Sequence, residues 1–296
     1  MIDTKKITVV SHDAGGAELL SSYVRRNKLN VSFVLDGPAV KIYERKLGSI
    51  ENLTLIEGIE KSNVIICSTS WQSDIEYNAI RIAKEKNKKT IAVLDHWINY
   101  KERFIRNSIE RLPHEIWVGD NIAYRMARQI FEATPIKIIE NPYFQDLKDE
   151  LQTIRLLPRS FSGYSILYVC EPVKEHARRH YGNERHWGYT EDDALKYFLN
   201  RLHAITNEIG SIKIRPHPSE NIEKYNWVKN ETILPITFSN GNSLITEVAE
   251  SDIVVGCESM AMVVGLIAGK RVISTIPPEG RECQLPQVEI EKLKEL

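Results

Sequence analysis

A chain of 296 residues that is 42% hydrophobic is long enough to bury two cores of ordinary domain size. Its formal charge of −1 offers no bulk attraction for nucleic acid or for an anionic membrane, so any anion site has to be local. Cys67, Cys170, Cys257 and Cys283 lie far apart without a CxxC pair, which removes the usual zinc and redox frameworks.

The opening MIDTKKITVVSHDAGG holds too short an apolar run for a signal peptide, and nowhere do about 18 apolar residues follow one another. The expectation is a cytoplasmic protein with reduced thiols and at most peripheral membrane association. Strands are expected at Ile7 to Ser11, Val31 to Leu35, Leu53 to Ile56, Val64 to Ser68, Thr90 to Leu94, Glu115 to Val118 and Ile136 to Ile139. Most are β-branched and scarcely alternate, as strands buried on both faces do. Helical patterns separate them at Ala17 to Arg26, Ala39 to Lys46, Asp74 to Lys86 and Asn121 to Phe131. Repeated βα units of this kind build parallel sheets.

After Asn141 and Pro142 a polar segment, Gln145 to Ser162, reads as a connection between domains. The alternation then resumes, with strands at Ser165 to Cys170, Ile212 to Arg215, Thr232 to Ile236, Asp252 to Val255 and Arg271 to Thr275. Helices are expected at Glu191 to Glu208, Asn221 to Lys229, Ser243 to Glu250 and Ser259 to Ala268, and a short charged helix at the end. The expected fold is α/β: two Rossmann-like domains, 1–150 and 151–296, whose parallel sheets face a central cleft.

Ligands of such sheets bind outside the carboxyl ends of the strands, so the strand-to-helix loops supply the candidates. In SHDAGGAE, Gly15 and Gly16 let a ligand approach the backbone at a helix start, while His12 and Asp13 suit acid/base work on a hydroxyl. The same residues also fit a tight turn capped by Asp13. In LDHWINYKER, Asp95, His96 and Trp97 could hold a sugar, the ring covering its apolar face; Trp97 and Tyr100 are equally readable as packing residues.

The connection from Glu171 to Thr190 carries His176, His180 and His186, three Arg and a Lys. It reads either as a source of cations for phosphate or as a solvated flap. Its histidine spacing does not suit a metal, and Thr190 with Asp193 resembles a capping box. In IRPHPSE the prolines, Pro218 included, stiffen the turn around His217 beside Arg215, and a histidine so fixed can donate to a phosphate. In GCESMAM the helix start at Ser259 and Met260 offers amides and a hydroxyl to phosphate or ribose, and Glu258 suits a diol.

These features together, with the Asn141–Pro142 crossover and the ESMAMVVGLIAGKRVIS unit, resemble GT-B-type nucleotide-sugar glycosyltransferases. The His-Pro pair and the later serine resemble in particular bacterial sialyltransferases and capsule-polysaccharide transferases that use CMP-activated acidic sugars. The resemblance implies that His217 and Ser259 contact the donor phosphate and that an acidic residue of the N-terminal domain, Asp13 or Asp95, acts as base. It also implies a metal-independent transfer from a CMP- or UDP-linked donor to a glycan or lipid-linked acceptor, with no cofactor. A UDP-sugar 2-epimerase and a non-catalytic nucleotide-binding subunit of a polysaccharide assembly system are the competing readings.

Overall fold

The computed structural model describes residues 6–70, 73–156, 158 and 161–296. They form two compact units, Met1–Asp146 and Leu147–Leu296. The first contains β1 (Ile7–Ser11), α1 (Ala14–Arg26), β2 (Ser32–Leu35), α2 (Pro38–Leu47), α3 (Leu55–Lys61), β3 (Val64–Cys67), α4 (Ile75–Glu85) and β4 (Lys89–Leu94). A small hairpin, β5 (Ile105–Arg106) and β6 (Ile109–Glu110), precedes β7 (Glu115–Val118), α5 (Asn121–Ile130) and β8 (Ile136–Ile138). Helix α6 (Pro142–Thr153) crosses the division between the units.

Six parallel strands make the first sheet, in the order β2-β1-β3-β4-β7-β8. Strands β1 and β3, ITVVS and VIIC, are buried along their whole length, which is why neither alternates in sequence. Val9, Ile66, Ile91 and Val93 meet Leu19, Leu20 and Val24 of α1 in the core.

The second unit contains β9 (Tyr164–Val169), α7 (Val173–Tyr181), α8 (Glu191–Asn200), α9 (Leu202–Ile205) and β10 (Ile209–Arg215). A 3-10 segment, Ile222–Asn230, leads to β11 (Ile236–Phe238), α10 (Leu244–Glu250), β12 (Ile253–Gly256), α11 (Met260–Ile267), β13 (Arg271–Ser274) and β14 (Ile290–Lys292). Its six parallel strands run β11-β10-β9-β12-β13-β14, the 3-2-1-4-5-6 order of doubly wound nucleotide-binding domains.

Several expected elements change. Leu53 to Ile56 is not a strand: Thr54 and Glu57 form a reciprocal capping box that starts α3, and the cap outweighs the apolar run. The connection expected from Gln145 to Ser162 does contain the division between the units, but its first half is helix to Thr153, nucleated by Asn141, whose side chain accepts from the amides of Tyr143 and Phe144 over 3.0 and 3.3 Å; Leu157, Arg159 and Ser160 of that segment lie outside the described residues. The Glu171–Thr190 connection contains α7, closed by Gly182 at φ 69°, a left-handed cap that glycine adopts without strain. Strand β11 begins after Pro235, not at Thr232, and the helix expected from Glu191 breaks at Arg201. The segment expected as a terminal helix supplies β14, paired in parallel with β13.

Candidate functional site

Each sheet reverses its direction of growth once, between β1 and β3 in the first unit and between β9 and β12 in the second. At such a point successive connections leave on opposite sides and a crevice opens at the carboxyl ends.

In the first unit, His12 and Asp13 follow β1. His12 Nδ1 lies 2.7 Å from Asp13 Oδ1, and the Ser70 hydroxyl donates to that same oxygen over 2.7 Å. Asp13 is the N-cap residue of α1, but its side chain makes no capping bond, being turned to His12 and Ser70. The His12 ring rests against Gly37, where a Cβ would fall 2.5 Å from Nε2 and φ is +55°, so a side chain there would displace the ring. A carboxylate that accepts from imidazole Nδ1–H fixes the tautomer and orients the ring as a base.

Behind this pair lies Glu76, the first-turn acid of α4, only 2% exposed. Its Oε1 accepts from the His12 amide and from the Ser68 hydroxyl, both over 2.9 Å, and Ser68 Oγ lies 2.9 Å from Ser11 Oγ. Burial, aided by the nearby Asp13, pushes the Glu76 carboxyl up to about 7. Nothing in the sequence marked Glu76, since an acid in a helical pattern reads as a solvated residue.

Gly15 and Gly16 serve packing. A Cβ on Gly15 would fall 2.1 Å from Asp95 Oδ2, and one on Gly16 2.4 Å from Ser68 Cβ. Asp95 therefore lies against the start of α1, and its other oxygen receives Arg103 Nη1 over 2.7 Å. Arg103 also donates to Thr69 O and Oγ1, over 3.0 and 2.8 Å, so Asp95 ties three segments together. Trp97 is buried and its indole donates to Asp120 Oδ2 over 2.9 Å, an arrangement of packing and not of an exposed sugar platform. His96 Nδ1 accepts the Trp97 amide over 2.9 Å, and burial drives the imidazole down to about 4, so that it stays neutral.

In the second unit, Glu171 lies two residues past the end of β9 and sends its carboxyl into the turn before α11, where Oε1 accepts the Glu258 amide over 2.7 Å. Burial and then the Glu258 charge push Glu171 up to about 8, against the pull of the Glu258, Cys257 and Ser259 amides. The amides expected to hold a phosphate thus hold a carboxyl of the chain itself. Glu258 is engaged too, by Arg281 and by the Gln284 amide over 3.0 Å, and the Arg281 guanidinium sits 4.2 Å from the Trp187 ring centroid. Ser259 Oγ caps α11 by accepting from the Ala261 amide over 3.1 Å. Met260 is the first residue of that helix.

His217 stands apart at the end of β10. Ser219 donates its amide to His217 Nδ1 over 3.2 Å; an amide only donates, so Nδ1 is the acceptor and the ring proton of the neutral form sits on Nε2. Burial lowers the pKa, opposed by Glu220. Glu220 fixes the turn: its Oε2 accepts from the His217 amide over 3.3 Å and from the Tyr225 hydroxyl over 2.9 Å, and its Oε1 from Lys224 over 2.6 Å. His176 of α7 feels His217, His180 and Arg179, each lowering its pKa after the larger effect of burial, so helix and turn form one edge whose two facing imidazoles, His176 and His217, are held toward the neutral form. Pro218, exposed, follows His217. Arg215 does not join this edge, because its Nη1 donates to Glu247 Oε2 over 2.6 Å, Ser239 Oγ over 3.1 Å and the Asn242 carbonyl over 3.0 Å.

His186 stacks on Tyr181, centroids 3.6 Å apart. Among the described residues there is no group of three or more His, Cys, Asp or Glu arranged to hold a metal ion, and no helix long and apolar enough to cross a membrane.

No protein-family model matches the sequence, and no curated protein matches it either. Solved structures do match in fold. The UDP-GlcNAc 2-epimerase from Methanocaldococcus jannaschii aligns over 91% of this chain and 83% of its own, at 12% identity and a TM-score of 0.58. The UDP-GlcNAc 2-epimerase from Neisseria meningitidis bound to UDP-GlcNAc aligns over 91% and 82%, at 10% identity and a TM-score of 0.58. The H444N variant of the wall teichoic acid polymerase TagF aligns over 92% and 70%, at 14% identity and a TM-score of 0.51. With these proteins the chain shares a GT-B-like fold of two Rossmann-like domains, each built on a parallel six-stranded sheet.

Proposed function

We propose that the chain is a nucleotide-sugar transferase whose second unit holds the donor nucleotide and whose first unit supplies the base for an acceptor hydroxyl. The observation that carries this reading is His217, a neutral imidazole locked by Ser219 and Glu220 with its proton on Nε2. A preorganised donor of this kind stabilises charge that builds on a departing phosphate, the role a metal ion has in other transferases.

In the reaction, the acceptor hydroxyl gives its proton to the His12 ring, oriented by Asp13. The acceptor oxygen bonds to the anomeric carbon, and the bond from that carbon to the donor phosphate breaks, leaving the nucleotide against His217. The His12–Asp13 pair is preferred to Asp95 as base because both Asp95 oxygens are engaged, one by Arg103 and one by close packing on Gly15. A CMP-linked acidic sugar and a surface-polysaccharide acceptor are the donor and acceptor that the His-Pro pair and Ser259 favour.

A UDP-sugar 2-epimerase is the second reading, favoured by the His12–Asp13 pair at the first unit's switch point, since elimination and readdition at a sugar carbon require acid/base groups. A ligand that binds only the native state raises the melting temperature, which suggests a thermal-shift panel of CMP, CDP, UDP, GDP and ADP with and without magnesium. A metal-independent CMP shift lost in His217→Ala supports the CMP-sugar transferase. A UDP shift directs product analysis with and without acceptor, conversion without acceptor identifying an epimerase. Silence for every nucleotide sinks both readings.

A further inference from the structure

We propose that Glu76 is a positioning residue for the His12–Asp13 pair, holding the turn after β1 through its backbone and adjusting the pair's charge environment by gaining or losing a proton. The inference rests on the reading of His12 and Asp13 as the base, and its test is independent of any donor.

The geometry is specific. One carboxyl oxygen of Glu76 gathers two donors from two different strand ends, the His12 amide after β1 and the Ser68 hydroxyl after β3. Helix α4 is thereby fastened to both walls of the switch point. The other oxygen, Oε2, is buried with no hydrogen-bond partner among the described residues.

An ionised carboxylate with one bare oxygen in such a place is costly, whereas the neutral acid, its proton on Oε2, leaves Oε1 free to accept both bonds. The titratable groups that face Glu76 are Asp13 from the β1 turn, Cys67 at the end of β3 and Tyr43 from α2. All three are acids, and no cation appears among the causes that shift it. Its carboxyl, raised to about 7, therefore changes charge near neutrality. When it ionises, a negative charge arises beside Asp13 and directly on the His12 amide, strengthening the pair as a proton acceptor. When it is protonated, that support is withdrawn.

The test is histidine Cε1–H and backbone-amide NMR of the whole chain across pH 5 to 9, with the His12 signals assigned through His12→Gln. Both the ring and the amide of His12 are expected to show a step centred near 7 that is absent in Glu76→Gln, which keeps the shape and removes the charge. Superimposable His12 curves for wild type and variant overturn the proposal. Carbon-13 observation of the Glu76 carboxyl in the unmodified chain guards against a variant that fails to fold: titration near the ordinary 4.5 also overturns it.

With an activity in hand, the Glu76-dependent part of wild-type turnover should rise about tenfold from pH 6 to 8, as ionisation of a single group centred near 7 requires, and this component should be missing in Glu76→Gln at unchanged KM for the donor. A purely structural Glu76 would lower activity equally at every pH. Failure of the nucleotide panel would leave the NMR outcome standing, so the two readings fail separately.

Discussion

The two switch points share a topology and differ in chemistry. In each, a carboxyl from a neighbouring element accepts the backbone amides that the crevice exposes, Glu76 the His12 amide and Glu171 the Glu258 amide. Burial raises these acids to about 7 and about 8 respectively. The second unit adds an imidazole edge, His217 with His176, both held toward the neutral form by burial; the first is lined by hydroxyls of Ser11, Ser68 and Ser70. In the proposed reading, topology fixes where a ligand arrives and the resident side chains decide its charge, the first unit taking a neutral hydroxyl compound and the second a phosphate on the imidazole edge.

The strongest way to break this contrast is to remove its donors. His217→Ala should cut turnover by about 10²–10³-fold, the cost of deleting one preorganised hydrogen-bond donor, and abolish the nucleotide-induced thermal shift. An unaltered rate would take His217 out of the mechanism. In the first unit, Asp13→Asn should lower turnover by about 10²-fold or more through loss of ring orientation, with nucleotide affinity unchanged; weakened nucleotide binding would show that the division of labour is wrong.

A third test uses acid and base stability. Glu76 has a folded-state pKa above its unfolded value, so its contribution is fully present below about 4.5 and is lost as pH rises through about 7, a total of about 3 kcal/mol by linkage. Glu171 acts in the same sense up to about 8. His96, lowered to about 4, works oppositely, its contribution being lost as pH falls from 6.5 toward 4. Urea midpoints should accordingly decline from pH 5.5 to 8, and Glu76→Gln should flatten the slope; an unchanged slope removes the raised acid from the account.

The smallest expected effect concerns the capping boxes, one per unit, at Thr54 with Glu57 and Thr190 with Asp193. Replacing either threonine by alanine should cost about 1 kcal/mol. Thr190 is buried and Thr54 exposed, so the Thr190 change should be the larger in equilibrium unfolding, and the reverse order would show that the box in the first unit matters more.

Most strands were legible because burial on both faces leaves unbroken β-branched runs such as VIIC and IVVG. Helices α3, α6 and α7 were not, since the first two start at the caps of Thr54 and Asn141 and the third is closed by a left-handed stop at Gly182, signals carried by one or two residues. The fixed turn that holds His217 was legible because prolines stand on both sides of it. Glu76 was not, because its importance comes from meeting Ser68 and His12 across 8 and 64 residues of sequence, and no local pattern records that. The same holds for Glu171, whose partner amide lies 87 residues away.

The thiols give the molecule a built-in optical handle. Cys67, Cys170 and Cys257 are buried, and Cys283 is partly exposed beside Gln284, whose amide holds Glu258. A maleimide dye added to the native protein should therefore attach at Cys283 and give a fluorescence reporter on the segment that restrains Glu258. The three sheltered thiols should react only on unfolding, so the labelling stoichiometry distinguishes native from unfolded protein.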